Sequence, residues 1–139
     1  MLNENEDVSF LDDILPGHKG KWIVLYFYPK DFTSGCTKEA CAFRDNYETI
    51  KKEGFDIVGV SVDSDESHKK FREKYNLPFN LVSDSDKELI KKFGVENMGK
   101  ARRTTFIIDP ERKIRKVWGR VKVDNHAEEV LKAIMEVKK

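Results

Sequence analysis

The chain has 139 residues, of which 39% are hydrophobic and 37% charged, with a formal net charge of +1. That length supports one domain with its own core, and the balance excludes a disordered or polybasic chain. No apolar run approaches the ~18 residues of a membrane helix, so no membrane partner is expected.

The first 21 residues show little periodicity. Val8, Phe10, Ile14 and Leu15 are candidate anchors, and Pro16, Gly17 and Gly20 mark turns. The acidic opening "MLNENEDVSFLDD" lacks an apolar signal core, so a cytoplasmic location is expected. "WIVLYFY" (22–28) is a continuous aromatic and β-branched run that predicts a central strand covered on both faces, ended by Pro29. After "KDFTSG", the spacing of Ala40, Phe43, Tyr47 and Ile50 predicts a helix over about 37–52, stopped by Gly54.

"FDIVGVSV" (55–62) predicts a second buried strand. Ser64 is an N-cap candidate for a surface helix running to Tyr75, with Phe71 and Tyr75 inward. "FNLVSD" from Phe79 is a third short strand. Ser85 and Glu88 form a candidate capping box before a short helix that turns Leu89, Ile90 and Phe93 inward and ends at Gly94. "TTFIID" (104–109) and "KIRKVW" (113–118) flank a turn and read as a strand pair. A second capping box, Asn125 and Glu128, precedes a helix whose apolar stripe is Ala127, Val130, Leu131, Ile134 and Val137. This order predicts a single α/β domain over 1–139, with an irregular segment 1–21 and a central mixed sheet flanked by helices. Thioredoxin-like and flavodoxin-like arrangements both fit it.

The two cysteines of the chain, Cys36 and Cys41, lie five residues apart just past the first strand. Two cysteines in this length are not the framework of a disulfide-built secreted domain. Cys36 falls where loop becomes helix. A thiolate there would meet free backbone N–H groups and the positive end of the helix. A small buried hydrophobe is the other reading of Cys36. In a continuous helix the two Cα atoms would be roughly 8–9 Å apart. A disulfide needs less than ~7 Å. Either the helix starts after Cys36 or it must open to let them meet, which disfavours a permanent staple and favours a switchable pair.

Zinc sites use shorter gaps and a full ligand set. His18, His68 and His126 are scattered, predicted in surface settings, and complete no such set, so neither metal nor cofactor is expected. A thiolate needs a positive partner, and Arg102 or Arg103, just before "TTFIID", can supply it. Adjacent strand residues point to opposite faces, so one of the two turns inward, and periodicity alone does not choose between them.

The segment "YPKDFTSGCTKEAC" resembles the active-site segment of the peroxiredoxins, and in particular of their bacterioferritin comigratory protein, or peroxiredoxin Q, group. The family pattern of proline, three residues, threonine, two residues and cysteine matches Pro29, Thr33 and Cys36. Cys41 matches the group's second cysteine, and Thr37 and Glu39 match its following threonine and glutamate. The family's distant arginine precedes a threonine strand with one residue between, which selects Arg103, with Thr105. The resemblance runs from about Lys21 to the last helix. Two departures stand out: the segment before the first strand is short, with "VSFLDD" in place of the usual entry, and Ser34 stands where many members have proline.

The resemblance implies a thioredoxin-like fold and a peroxidase acting on hydrogen peroxide and organic hydroperoxides. Cys36 would be the attacking thiolate, and Arg103, Thr33 and backbone N–H groups near Gly35 would stabilise the oxygens. Pro29 would shape the pocket. Cys41 would resolve the sulfenic acid as a Cys36–Cys41 disulfide, reduced by thioredoxin or a similar dithiol. Glu39 would support local hydrogen bonding or remain a solvated acid, and Trp118 would pack in the core or the pocket wall. The expected assembly is a monomer or weak homodimer.

A thiol–disulfide oxidoreductase or redox sensor is the rival reading, although exchange alone needs no peroxide pocket. From Lys100 to Lys122 there are nine Lys/Arg and two Asp/Glu. Such a stretch can attract phosphate, but no nucleic-acid module is recognisable, and no nucleic-acid partner is expected.

Overall fold

The apolar run that begins at Trp22 becomes β1 (Trp22–Phe27), the middle strand of a five-stranded sheet. The computed structural model describes residues 1–138. The strand order is β3-β2-β1-β6-β7. β2 (Phe55–Ser61) and β3 (Asn80–Ser83) continue parallel to β1, β6 (Thr104–Ile108) runs antiparallel to β1, and β7 (Ile114–Trp118) runs antiparallel to β6.

Side chains alternate across β1. Val24, Tyr26 and, just beyond the strand, Tyr28 join one cluster with Phe43, Ile50, Phe71, Val130 and Ile134. Ile23, Leu25 and Phe27 join the other with Leu11, Leu89, Ile90 and Phe93. Both faces are covered, which is why the run carries no polar alternation. Gly59 on β2 lies opposite Tyr26. A Cβ there would sit 2.8 Å from Tyr26 Cζ and from Leu81 Cδ2. Only glycine lets the tyrosine ring lie across the sheet at this point.

On the first face pack α2 (Ser34–Asp45), α3 (Tyr47–Lys52), α4 (Asp65–Tyr75) and α6 (His126–Val137). On the other face are α1 (Leu11–Ile14) and α5 (Glu88–Phe93). The result is a thioredoxin-like mixed sheet flanked by helices. No described helix is long and apolar enough to cross a membrane.

Residues ahead of α1 run beside the β6–β7 turn. Asp7 bridges Lys113, and the Val8 N–H donates to Arg112 O at 2.8 Å. Val8, Leu11 and Leu15 are buried there, whereas Phe10 and Ile14 are only half-buried. A small hairpin, β4 (Glu96–Asn97) and β5 (Lys100–Ala101), has no counterpart in the sequence reading.

The predicted 37–52 helix is two helices. The first begins at Ser34, and the chain breaks at Asn46 (φ −107°, ψ 5°), whose Nδ2 donates to Ala42 O. Ser64 caps α4 as expected, its Oγ accepting from the Ser67 N–H at 3.1 Å. Neither predicted capping box forms. Asn125 is left-handed (φ 62°) and its side chain caps nothing. Asp84 serves α5 instead, accepting from the N–H groups of Leu89 and Ile90. The surface setting predicted for the histidines fails for two of them, because His68 and His126 are each 1% exposed. Both have specific partners that offset the cost of burial.

Candidate active site

The chain leaves the C-terminal end of β1, turns through residues 28–33 and enters α2. Asp31, 3% exposed, fastens this turn. Its carboxylate accepts from Tyr28 Oη (2.6 Å), Ser67 Oγ (2.8 Å) and His68 Nδ1 (2.8 Å), and its N–H donates to Asp63 Oδ2 (2.8 Å). His68 Nε2 faces Val82 O at 3.0 Å. Both ring nitrogens therefore face oxygens, and the ring bridges Asp31 to β3. Burial pushes the Asp31 carboxyl up, but the bonds from His68, Tyr28 and Ser67 outweigh it and hold Asp31 below the usual carboxylate range. The turn is thus tied to α4 and β3 before α2 begins.

Thr33 is the N-cap residue of α2, in extended conformation (φ −76°, ψ 152°), and its carbonyl accepts from the Thr37 N–H. Cys36 is then the third helical residue, 1% exposed, within the first turn whose N–H groups lack helical partners. Cys36, Glu39, Ala40 and Phe43 form the buried stripe of the helix.

Arg103 approaches from the residue before β6. Its Nη2 donates to Cys36 Sγ at 3.2 Å and its Nη1 to Glu39 Oε1 at 2.9 Å. Burial opposes the Arg103 charge, but Glu39 and Cys36 beside it outweigh that and push its pKa up. A Cβ on Gly35 would lie 3.1 Å from Arg103 Nη2, so the glycine gives the guanidinium its path to the sulfur. Glu39 is 2% exposed, not a solvated acid. Burial pushes its carboxyl up to about 7, against the downward pull of Arg103. The Tyr26 hydroxyl is buried beside this group. Burial first, then the neighbouring Glu39 and Cys36, push its pKa up and keep it protonated.

Of the two candidate arginines, Arg103 faces Cys36, while Arg102 Nη2 lies 3.4 Å from the Met1 sulfur. Thr33 stands at the mouth of the site, exposed, and its hydroxyl donates to Lys30 O at 2.9 Å instead of Cys36. Pro29, half-buried, opens the turn. Cys41 lies in the same helix as Cys36, half-buried, and both thiols are free. Trp118 packs edge-on against His126, ring centroids 5.3 Å apart. His126 Nε2 lies 2.9 Å from Thr105 Oγ1, and burial holds this histidine below its usual pKa.

Asp31 and His68 escaped the sequence reading. The available signals were that Asp31 lies between Pro29 and Thr33, and that His68 precedes the buried Phe71 by one helical turn. The burial of Glu39 was legible in the same way, at i+3 from Cys36.

A sulfur in a helix's first turn, with a guanidinium donating to it, is arranged to hold a thiolate and to stabilise charge on an oxygen it attacks. Residues 3–117 match the AhpC/TSA family. Peroxiredoxin Bcp of Bacillus subtilis is 48% identical over 132 residues, covering 88% of this chain and 83% of the relative. Xanthomonas campestris bacterioferritin comigratory protein, whose structures concern alkyl peroxide reduction, superposes with a TM-score of 0.84 at 41% identity, covering 90% of this chain and 85% of that one. A cysteine-to-serine variant of Xylella fastidiosa PrxQ gives a TM-score of 0.91 at 33% identity, covering 100% and 99%.

Proposed function

Because the chain belongs to the AhpC/TSA family and, within it, to the peroxiredoxin Q group, we propose that Cys36 is the peroxidatic residue of this thiol peroxidase and Cys41 its resolving thiol. The Cys36 thiolate attacks the terminal oxygen of a hydroperoxide. The S–O bond forms as the O–O bond breaks, leaving cysteine sulfenic acid and an alkoxide or hydroxide that takes up a proton. Arg103 stabilises the sulfur before attack and the oxygens during it, and Glu39 fixes the guanidinium from behind. The N–H groups of the first turn of α2 add positive field at the same point. Pro29 closes one side of the pocket without leaving an N–H to satisfy, and Thr33 offers a hydroxyl at its mouth.

Cys41 then attacks the sulfenic sulfur, releasing water and forming the Cys36–Cys41 disulfide. Thioredoxin or a similar dithiol reduces that disulfide, returning two thiols. We read the working form as a cytoplasmic monomer or weak homodimer. The observation that supports the chemistry best is the 3.2 Å contact of Arg103 Nη2 with Cys36 Sγ in a buried site.

Turnover of hydrogen peroxide with thioredoxin and its reductase tests the cycle. The parent should turn over continuously. C41S should stop after one equivalent, with one sulfenic acid trapped per chain. Continuous turnover by C41S would remove Cys41 from the cycle. Disulfide exchange without peroxide turnover would support the oxidoreductase reading instead. Sedimentation velocity checks the assembly, and a concentration-independent dimer would overturn that reading.

A further inference from the structure

Four large apolar side chains are exposed among the described residues: Met1, Phe32, Met98 and Met135. Phe32 and Met98 hold left-handed backbone, at φ 68° and 51°. A bulky side chain rarely takes that conformation, whereas asparagine and glycine take it readily. Met98 and Gly99 (φ 82°) form the two-residue turn between β4 and β5, a turn for which Asn-Gly is a favoured pair. Met98 is 95% exposed, so packing does not account for a methionine there. Phe32 is 45% exposed, its ring set edge-on against Phe71 with centroids 5.1 Å apart.

Both residues flank the site. Phe32 follows the fastened Asp31 and precedes Thr33, the N-cap of α2, four residues before Cys36. The Met98 hairpin is closed at its base by the Arg102 N–H, which donates to Val95 O at 2.7 Å, one residue before Arg103. Phe27 at the end of β1 lies opposite Thr104 at the start of β6, so the Phe32 turn and the Met98 hairpin stand at the same end of the sheet. The Val121 N–H donates to Arg103 O at 3.1 Å, which brings the loop of Arg120 and Lys122 to that end as well. The acids of the hairpin and the loop are already paired, Glu96 with Lys87 and Asp124 with Lys38. Lys30, Lys100, Arg120 and Lys122 are exposed and pair with no carboxylate among the described residues.

A protein that reduces the Cys36–Cys41 disulfide must bring a thiolate to one of these sulfurs, and so must cover this end of the sheet. We propose that Phe32 and Met98 are the apolar contacts of a docking surface for that protein dithiol, a partner whose reactive cysteine is surrounded by apolar side chains with an acidic margin. This rests on the Cys36–Cys41 cycle proposed above. Aromatic and methionine side chains supply contact area that adapts to a partner, and the unpaired cations steer an acidic surface toward it. Phe32 and Met98 touch no reacting atom. A small dithiol, which has no surface to dock, does not use them.

The test compares the parent with F32N/M98N, in which each new side chain suits the left-handed backbone it inherits. Thioredoxin, kept reduced by its reductase, is varied at saturating hydrogen peroxide. In the double variant kcat/KM for thioredoxin should fall about tenfold, the effect of losing one well-packed interface side chain. Reduction by dithiothreitol and Cys36 oxidation by hydrogen peroxide should keep their parent rates, which also reports an intact fold. Added salt should lower kcat/KM for thioredoxin in the parent and leave the dithiothreitol rate unchanged. An unchanged kcat/KM for thioredoxin in the variant, or an equal loss with dithiothreitol, would overturn the surface. Self-association of the parent that the variant loses, with thioredoxin kinetics intact, would show a contact between copies of this chain and overturn the assignment to a reductant. A parent that forms no Cys36–Cys41 disulfide would refute the proposed cycle instead.

Discussion

Arg103 has two neighbours with opposite demands. Cys36 takes one amino group of the guanidinium and Glu39 the other. Burial raises the Glu39 carboxyl from its ordinary 4.5 to about 7. The folded protein therefore holds a proton there that the unfolded chain releases. The stability this contributes is complete below about pH 4.5 and is lost as pH rises through 7. It amounts to roughly 3 kcal/mol at 1.36 kcal/mol per pH unit. Urea unfolding across that window should show the decline in the parent and a flatter profile in E39Q, and parallel profiles would contradict it. Gly35 offers a second test at this scale. Alanine at this helical position should raise stability by about 0.5–1 kcal/mol. The added methyl crowds Arg103 Nη2, so Cys36 oxidation should slow severalfold. A variant both more stable and equally fast would show that the close approach is unimportant.

At the scale of elements, α2 carries the cycle's conformational demand. Cys36 and Cys41 share one helix, whose geometry sets their Cα atoms roughly 8–9 Å apart, beyond disulfide reach. Under the proposed cycle the helix must unwind after the first oxidation. Ser34 is its first residue, a position that accepts proline, and Thr33 already has the extended backbone a following proline requires. S34P should stabilise the reduced protein by about 0.4–1 kcal/mol. If the unwound state loses that gain, disulfide formation slows about two- to fivefold, measured after a pulse of peroxide. An unchanged rate would place the opening elsewhere. The sequence made the existence of α2 plain through its apolar stripe but hid its start, because Ser34 and Gly35 are weak helix formers. Asn46 hid the break, since the apolar spacing runs through it. The capping boxes misled because Lys87 and Asn125 adopt left-handed backbone, which moves the cap chemistry elsewhere. The strands were legible because both faces of the sheet are apolar. Arg103 became legible through motif spacing, and the Asp31–His68 pair did not, because neither residue type announces burial.

For the whole molecule, that pair is a structural tie between layers. The turn carrying Pro29 and Thr33, helix α4 and strand β3 meet at His68, which is 1% exposed. H68Q removes the ring that spans Asp31 and Val82 O and leaves Asp31 buried with a weaker partner. It should cost about 1–3 kcal/mol in denaturant unfolding, the range for leaving a buried polar group without its hydrogen bond. Loss below about 1 kcal/mol, the level of a surface pair, would show that the network is not under load. The other surroundings of the site follow from packing. β1 delivers the turn, β6 delivers Arg103, and the two strands are neighbours in the sheet. The reactive sulfur and its cation thus come from distant parts of the chain and meet only once the sheet forms.

The most direct test of the account is the second-order rate of Cys36 oxidation by hydrogen peroxide in the parent, C36S and R103Q. The account predicts a parent rate far above that of free cysteine and no reaction in C36S. R103Q should be slower by about 10²–10³-fold, the effect of removing one donor to developing negative charge. A parent no faster than free cysteine, or oxidation that survives in C36S, would contradict it.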